Sequence, residues 1–175
     1  MSTLKVNTLQ NTSGNNLTFI KQVVQTVKTD TTSHASSNTN SFADITGMSV
    51  SITPSSASSK ILVQFTCNAG IASGTLHLRL LRGSTSIFQG DADSNRFGST
   101  VINRAPSDTA VHETATLNST FLDSPNSTSA LTYKLQWTAG ATYNTTIYLN
   151  RTTSDSDIDY GGRTASSITV MEVAA

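Results

Sequence analysis

LTYKLQW, residues 131–137, decides how this chain is read. Leu131, Tyr133, Leu135 and Trp137 alternate with Thr132, Lys134 and Gln136, and an apolar period of two marks a strand with one buried face. The same period recurs on both sides of it. Upstream it appears in Met48, Val50 and Ile52, in Ile61, Val63, Phe65 and Cys67, and in Leu76, Leu78 and Leu80. Ile87 and Phe88 mark a shorter strand, and Val111, Ala115, Leu117 and Phe121 fit a long one. Downstream come Thr145, Ile147 and Leu149, then a last strand with Ile168, Val170 and Glu172 on one face and Thr169, Met171 and Val173 on the other. VVQTV at 23–27 is the predicted first strand. No stretch shows a 3.6-residue apolar period, so eight or nine strands and no helix are expected.

Polar segments separate these strands. TTSHASSNTN (31–40) reads as a loop, Pro54 with its serine cluster as a turn, and DADSNRFGSTVINRAPSD (91–108) as a long excursion. The pattern predicts an all-β chain, an antiparallel jelly-roll sandwich of two sheets, with a closed barrel as the structural alternative. No repeat of fixed period is present, which argues against a solenoid or a propeller.

Composition supports the strand reading. The chain has 175 residues, of which 26 are Ser, 29 Thr and 13 Asn. Short polar side chains compete for the backbone and disfavour helices, while Thr suits strands and Ser and Asn suit turns. Acidic and basic residues balance at 11 each, which argues against general binding to nucleic acid or an anionic membrane. No apolar run approaches the roughly 18 residues that cross a bilayer as a helix. Cys67 is the sole cysteine, so no disulfide forms within the chain, and its place beside Val63 and Phe65 predicts a buried thiol.

The chemistry-bearing residues point away from catalysis. His34, His77 and His112 are scattered, with no His-x-His pair and no helical metal motif. Neither a nucleophile elbow nor a P-loop is present; GSTSIFQG (83–90) lacks the lysine that a phosphate loop needs. Asp155, Asp157 and Asp159 alternate as in calcium loops, but Tyr160 stands where an EF-hand has glycine and Ser166 where it has glutamate. The triplet is read as a solvated acidic loop, with DADSN (91–95) a weaker relative. Six Asn-x-Ser/Thr sequons, at Asn11, Asn16, Asn118, Asn126, Asn144 and Asn150, arise by chance in such a composition. No enzyme, cofactor or metal site is expected.

The chain opens MSTLKVNTLQNTSGNNLTFI, with Leu4, Val6 and Leu9 as one apolar island and Leu17, Phe19 and Ile20 as a second. It lacks the basic start and continuous apolar run of a signal peptide. Two islands bury too little to offset the ordering entropy of a free segment, but such a leader orders when it docks on something larger. Residues 1–20 are therefore expected to be a docking leader and 21–175 the sandwich head, with Leu4, Val6, Leu9, Leu17, Phe19 and Ile20 as the docking side chains.

MSTLKVNTLQNTSGNN resembles the N-terminal leader of virion proteins from tailed bacteriophages, marine and cyanobacterial ones especially. Their start runs Ser-Thr-Leu-Lys-Val-Asp-Thr-Ile-Gln-Asn, which residues 2–11 match except at Asn7 and Leu9. FADITGMSVSITPSSASSKILVQF (42–65) and SSITVMEVAA (166–175) are similar to jelly-roll heads of phage tail fibres, which resemble the trimeric TNF/C1q type. The resemblance implies a non-enzymatic virion structural protein, made in the host cytoplasm and carried on the capsid or tail surface. It implies a short tail fibre or spike whose head faces the host, and the shaft of repeats found in long fibres is lacking. A capsid decoration protein that stabilises the shell is the alternative, and a carbohydrate-active jelly roll is a remote third.

The loops at 31–40, 91–108 and 153–163 are the expected points of contact with a host glycan or protein. A last strand apolar on both faces needs cover from both sides. A homotrimer supplies that cover, with Tyr133, Trp137, Met171 and Val173 as candidate interface residues; for Tyr133 and Trp137, which share one face of their strand, core packing is the default reading and the subunit contact the other. Its other partners are expected to be virion proteins met through the leader.

Overall fold

A computed structural model describes residues 20–36, 41–105, 111–140 and 145–174. Eleven strands run through them: β1 (Ile20–Lys28), β2 (Thr32–Ser36), β3 (Ala43–Ile52), β4 (Lys60–Ile71), β5 (Thr75–Arg82), β6 (Thr85–Phe88), β7 (Val101–Arg104), β8 (Ala115–Asp123), β9 (Leu131–Ala139), β10 (Thr145–Leu149) and β11 (Ser166–Val173). All pairings are antiparallel.

In the first sheet β4 is the hub. β8 covers one flank from Ile61 to Ala69. The other flank takes β11 along Lys60–Thr66 and then β10 along Ala69–Ile71. β1 adds to β11, and β2 adds to β10. In the second sheet β3 pairs β9 and β9 pairs β5. The far flank of β5 is shared, with β7 on Thr75–Leu78 and β6 on Leu80–Arg82. Counting β6 and β7 as one broken strand, the orders are β1-β11-β4-β8, with β10 and β2 continuing the β11 flank at the far end of β4, and β3-β9-β5-β6/β7. The chain crosses between sheets at each of β2–β3, β3–β4, β4–β5, β7–β8, β8–β9 and β9–β10, as in a jelly roll.

The alternation does what the sequence predicts. Ile61, Val63, Phe65, Cys67, Leu76, Leu78, Leu80, Leu135, Ile147, Leu149, Ile168 and Val170 all point between the sheets and are buried. Fully burying side chains of this size stabilises by about 1.5–3 kcal/mol each. β3 departs from strict alternation. Its register jumps between Asp44 and Ser49, and this bulge turns both Ile45 and Met48 inward. Gly47 makes the bulge possible, with φ at +84°, a left-handed conformation that disfavours a Cβ.

Other differences are local. The 31–40 segment, expected as a loop, contains β2, which completes the end of the first sheet. The 91–108 excursion contains β7. The first strand begins at Ile20 rather than Val23, and Ile20 pairs Val173. Ile20, assigned to the leader by the sequence, is thus part of the sandwich.

Candidate functional site

The outer face of the β1-β11-β4-β8 sheet is built by register. Side chains that point away from the core line up across four strands. Val23, Met171, Leu62 and Leu122 form one such row. Ile20 and Val173 extend it at the corner, beside Lys60. Ile20 is 59% exposed, Val23 55% and Leu122 46%, so the row is an open apolar stripe.

The next row is Gln25, Thr169, Gln64 and Thr120, and the one after is Val27, Ser167, Thr66 and Asn118. The Gln25 amide donates to Thr169 Oγ1 at 2.8 Å, and the Gln64 amide donates to Thr120 Oγ1 at 3.5 Å. All of these residues but Val27 line a shallow hollow of about 370 Å³. Among the described residues, no Asp, Glu, Lys or Arg stands in any of the three rows.

The outer face of the other sheet is different. Lys134 reaches Asp44 at 2.8 Å, and Gln136 donates to the same carboxylate at 2.6 Å. These donors hold the Asp44 pKa below the ordinary carboxylate value. Arg79 donates to Gln136 Oε1 at 2.9 and 2.6 Å and stacks over the Phe42 ring at 4.0 Å. These charges contrast with the three uncharged rows of the first sheet.

Of the four interface candidates, Met171 and Val173 lie on the outer face of the first sheet, half-buried, Val173 beside Lys60. Tyr133 and Trp137 do not reach a surface. Both are fully buried between the sheets, because their strand parity is that of Leu135 and the core. Of their two expected roles the core one holds, and they are not interface residues. Leu4, Val6, Leu9, Leu17 and Phe19, the remaining docking side chains, lie outside the described residues.

Two of the expected contact loops hold exposed side chains on a firm base. The 153–163 loop is closed at its neck by a bridge between Arg151 and Arg163. Asp155 pairs with Arg163 at 2.5 Å and approaches Arg151 at 3.9 Å. Tyr160 projects from the loop, 64% exposed, its ring set edge-on to His112 at 5.0 Å. The 91–100 loop is pinned by Gly90 N–H to Ser99 O at 3.1 Å and turns on an Asp93–Arg96 bridge.

The groups weighed for catalysis lie apart. His77 bonds Ser99 at 3.0 Å and His34 stacks 6.3 Å from Trp137; burial lowers the pKa of both rings. Burial likewise pushes the Cys67 thiol up to about 12. Among the described residues no three His, Cys, Asp or Glu side chains converge to hold a metal ion, and no helix is long and apolar enough to cross a membrane.

The row that completes Met171 was missed from the sequence. Val23, Leu62 and Leu122 are 39 to 99 positions apart in the chain, and only strand register aligns them. Their outward parity was legible; their shared row was not.

No family model and no curated protein matches the chain. Among solved structures, that of infectious bursal disease virus, Gt strain, is similar at 10% identity and a TM-score of 0.45, over 97% of this chain and 44% of that one. The Gx strain structure is similar at 11% identity and a TM-score of 0.42, over 98% and 42%. The chain thus spans less than half the length of either.

Proposed function

We propose that this protein is a non-enzymatic structural component of a bacteriophage virion, a short trimeric fibre or spike. Its leader docks on another virion protein, and its jelly-roll head is presented to the host surface. The observation that carries this reading is the resemblance of residues 2–11 to a virion leader, beside an all-β sandwich whose two antiparallel sheets enclose a core that, among the described residues, runs from Ile45 to Val170. Short apolar islands such as Leu4, Val6 and Leu9 suit a segment that orders on a larger partner. Synthesis in the host cytoplasm suits a chain whose one thiol is buried.

The loops favour keeping a second reading, a capsid decoration protein. Short polar side chains dominate them, and Tyr160 is the large exposed aromatic of the 153–163 loop, whereas contact sites favour Tyr, Trp and Arg in clusters. Immunogold labelling of intact virions with an antibody to the head separates the two. A few copies at the tail support the fibre, many copies over the capsid support decoration, and particles without label overturn both.

A further inference from the structure

We infer that His77 is a proton-operated catch: residues 97–99 lie strapped across the outer face of the β3-β9-β5 sheet and lift off it when the imidazole takes up a proton.

The strap is assembled from distant parts of the chain. His77 points out of the sandwich, since Leu76 and Leu78 on either side of it are buried in the core. Its Nδ1 lies 3.0 Å from Ser99 Oγ, and its ring meets that of Phe97 edge-on at 4.7 Å. Phe97 reaches on to Phe42, just ahead of β3, at 6.0 Å. The segment leaves the sheet at the β6/β7 edge, so its aromatic ring crosses over β5 and β9 toward the opposite edge strand. Thr138 of β9, the outward-facing partner of His77, is fully buried. A residue on the outer face of a sheet is buried only where something covers it.

Behind these ring contacts the backbone is fixed. Gly90 N–H donates to Ser99 O at 3.1 Å, and Thr100 N–H to Leu78 O at 2.8 Å. Ahead of them, Asp93 and Arg96 bridge one another at the exposed tip. Phe97 is the joint between a fixed base and a free tip, and side-chain contacts to His77 and Phe42 hold it down.

A proton on His77 works against this arrangement. The ring is half-buried, and burial lowers its pKa. Arg79 follows it on the same face of β5, held by Gln136 Oε1. β9 presents Thr138, Gln136 and Lys134, the last paired with Asp44 of β3 at 2.8 Å. β7 presents Ile102 and then Arg104. The 91–99 segment brings Asp91, Asp93 and Arg96, the last two paired at 3.7 Å. Among the described residues no carboxylate bonds the ring, and its one polar partner is the Ser99 hydroxyl. An imidazolium here loses water and gains no acid; lifting the strap returns it to water.

The sign follows from linkage. The strapped state binds fewer protons than the lifted one, whose ring has the ordinary histidine pKa of about 6.5. The strap is fully held above that pH and loosens as pH falls below it.

Trypsin reads the strap directly, because cutting after Arg96 requires Phe97, Gly98 and Ser99 to peel into its cleft. Cleavage of the full-length protein at this bond is followed by mass spectrometry and normalised at each pH to a small arginine ester. It is expected to accelerate from about pH 7.5 to about pH 5.5, and to stay flat in His77→Gln, which keeps a neutral bond to Ser99. Proton NMR supplies the reciprocal measurement. The His77 ring, identified by its loss in His77→Gln, is expected to titrate below the ordinary value, and Phe97→Ala to move it up to about 6.5. Both substitutions lie outside the buried core cluster. Normalised wild-type cleavage that is flat with pH overturns the inference, as does an acid rise that persists in His77→Gln. A His77 pKa that Phe97→Ala leaves in place overturns it too, since proton and strap are then uncoupled.

Discussion

The Tyr133 hydroxyl donates a hydrogen bond of 2.7 Å to Asp123 Oδ2, and in doing so ties one sheet of the sandwich to the other. Tyr133 belongs to β9 and Asp123 closes β8. Arg82, the cross-strand partner of Tyr133, reaches the same carboxylate at 2.6 and 2.8 Å. Burial, then the facing carboxylate, pushes the Tyr133 pKa upward, so the phenol stays a donor at every working pH.

This clamp yields graded losses. Tyr133→Phe removes one bond and leaves Asp123 with Arg82, so a loss of about 1–2 kcal/mol is expected. Asp123→Ala strands a buried phenol as well as the guanidinium, and about 3 kcal/mol is expected, the low end for a broken buried pair because Arg82 is partly exposed. Urea melts rank the two; equal losses show that the carboxylate bears no more than a single bond.

Glu172 gives the fold an acid limit. Burial opposes its charge, but the N–H and the hydroxyl of Ser55, donating to Oε1 at 2.8 and 2.6 Å, hold its pKa below the ordinary value. The folded pKa lies below the unfolded one, near 4.3. Its contribution is therefore full above about pH 4.3 and disappears as pH falls through the folded value. Denaturant melts from neutral pH to about pH 3 should show that decline flattened in Glu172→Gln. An unchanged slope assigns the acid sensitivity elsewhere, with Asp44 the first alternative.

Removing residues 1–19 is expected to leave a soluble head that melts cooperatively but no longer joins particles. Among the described residues, Val24 of β1 is the first that packs against the core. Removing 1–23 is expected to do more harm, because Ile20 and Val23 pair Val173 and Met171. Calorimetry of the two truncations checks this, and loss of the melt in the shorter deletion refutes the separation of leader and head.

Cys67 should resist thiol reagents in the native state. It is fully buried, with a pKa pushed up to about 12, and the thiolate is the reactive form. Labelling is expected to follow global unfolding as denaturant rises. The same shift makes stability fall above about pH 8.5, the unfolded thiol's range, since only the unfolded chain then gains the thiolate. Cys67→Ala should remove that alkaline decline.

Calcium is expected to give no heat of binding. Asp155, the first carboxylate of the triplet, is committed to Arg163 and Arg151, and a calcium site requires six to eight oxygens. Titration calorimetry that yields a dissociation constant below about 1 mM, the weak end of extracellular modules, reverses this.

Alternation made the interior legible. Each inward position of 61–67, 76–80 and 168–170 is buried as its parity requires. Parity alone, though, does not say which side of a strand is the inside, so core packing and a subunit contact both stayed open for Tyr133 and Trp137, and burial between the sheets decides for the core. TSHAS (32–36) gave no strand signal because its residues are short and polar; its pairing with β10 supplies the strand. The bulge in β3 needed Gly47 to be read as a left-handed residue. The apolar stripe is a property of register, and register across strands far apart in sequence is set by the whole sandwich rather than by any window of the chain.

The break between β6 and β7 has an engineering meaning. Both strands leave and rejoin the same edge of β5, and the segment between them is shut at its base by Gly90 N–H to Ser99 O, Thr100 N–H to Leu78 O at 2.8 Å, and the Thr100 hydroxyl on Phe88 O. Its tip, 91–96, is exposed. Lengthening a loop whose ends are already fixed adds only about 0.6 kcal/mol per doubling. Foreign peptides spliced between Asp93 and Arg96 would ride on the sandwich as passengers, displayed once per chain, without asking the scaffold to refold around them.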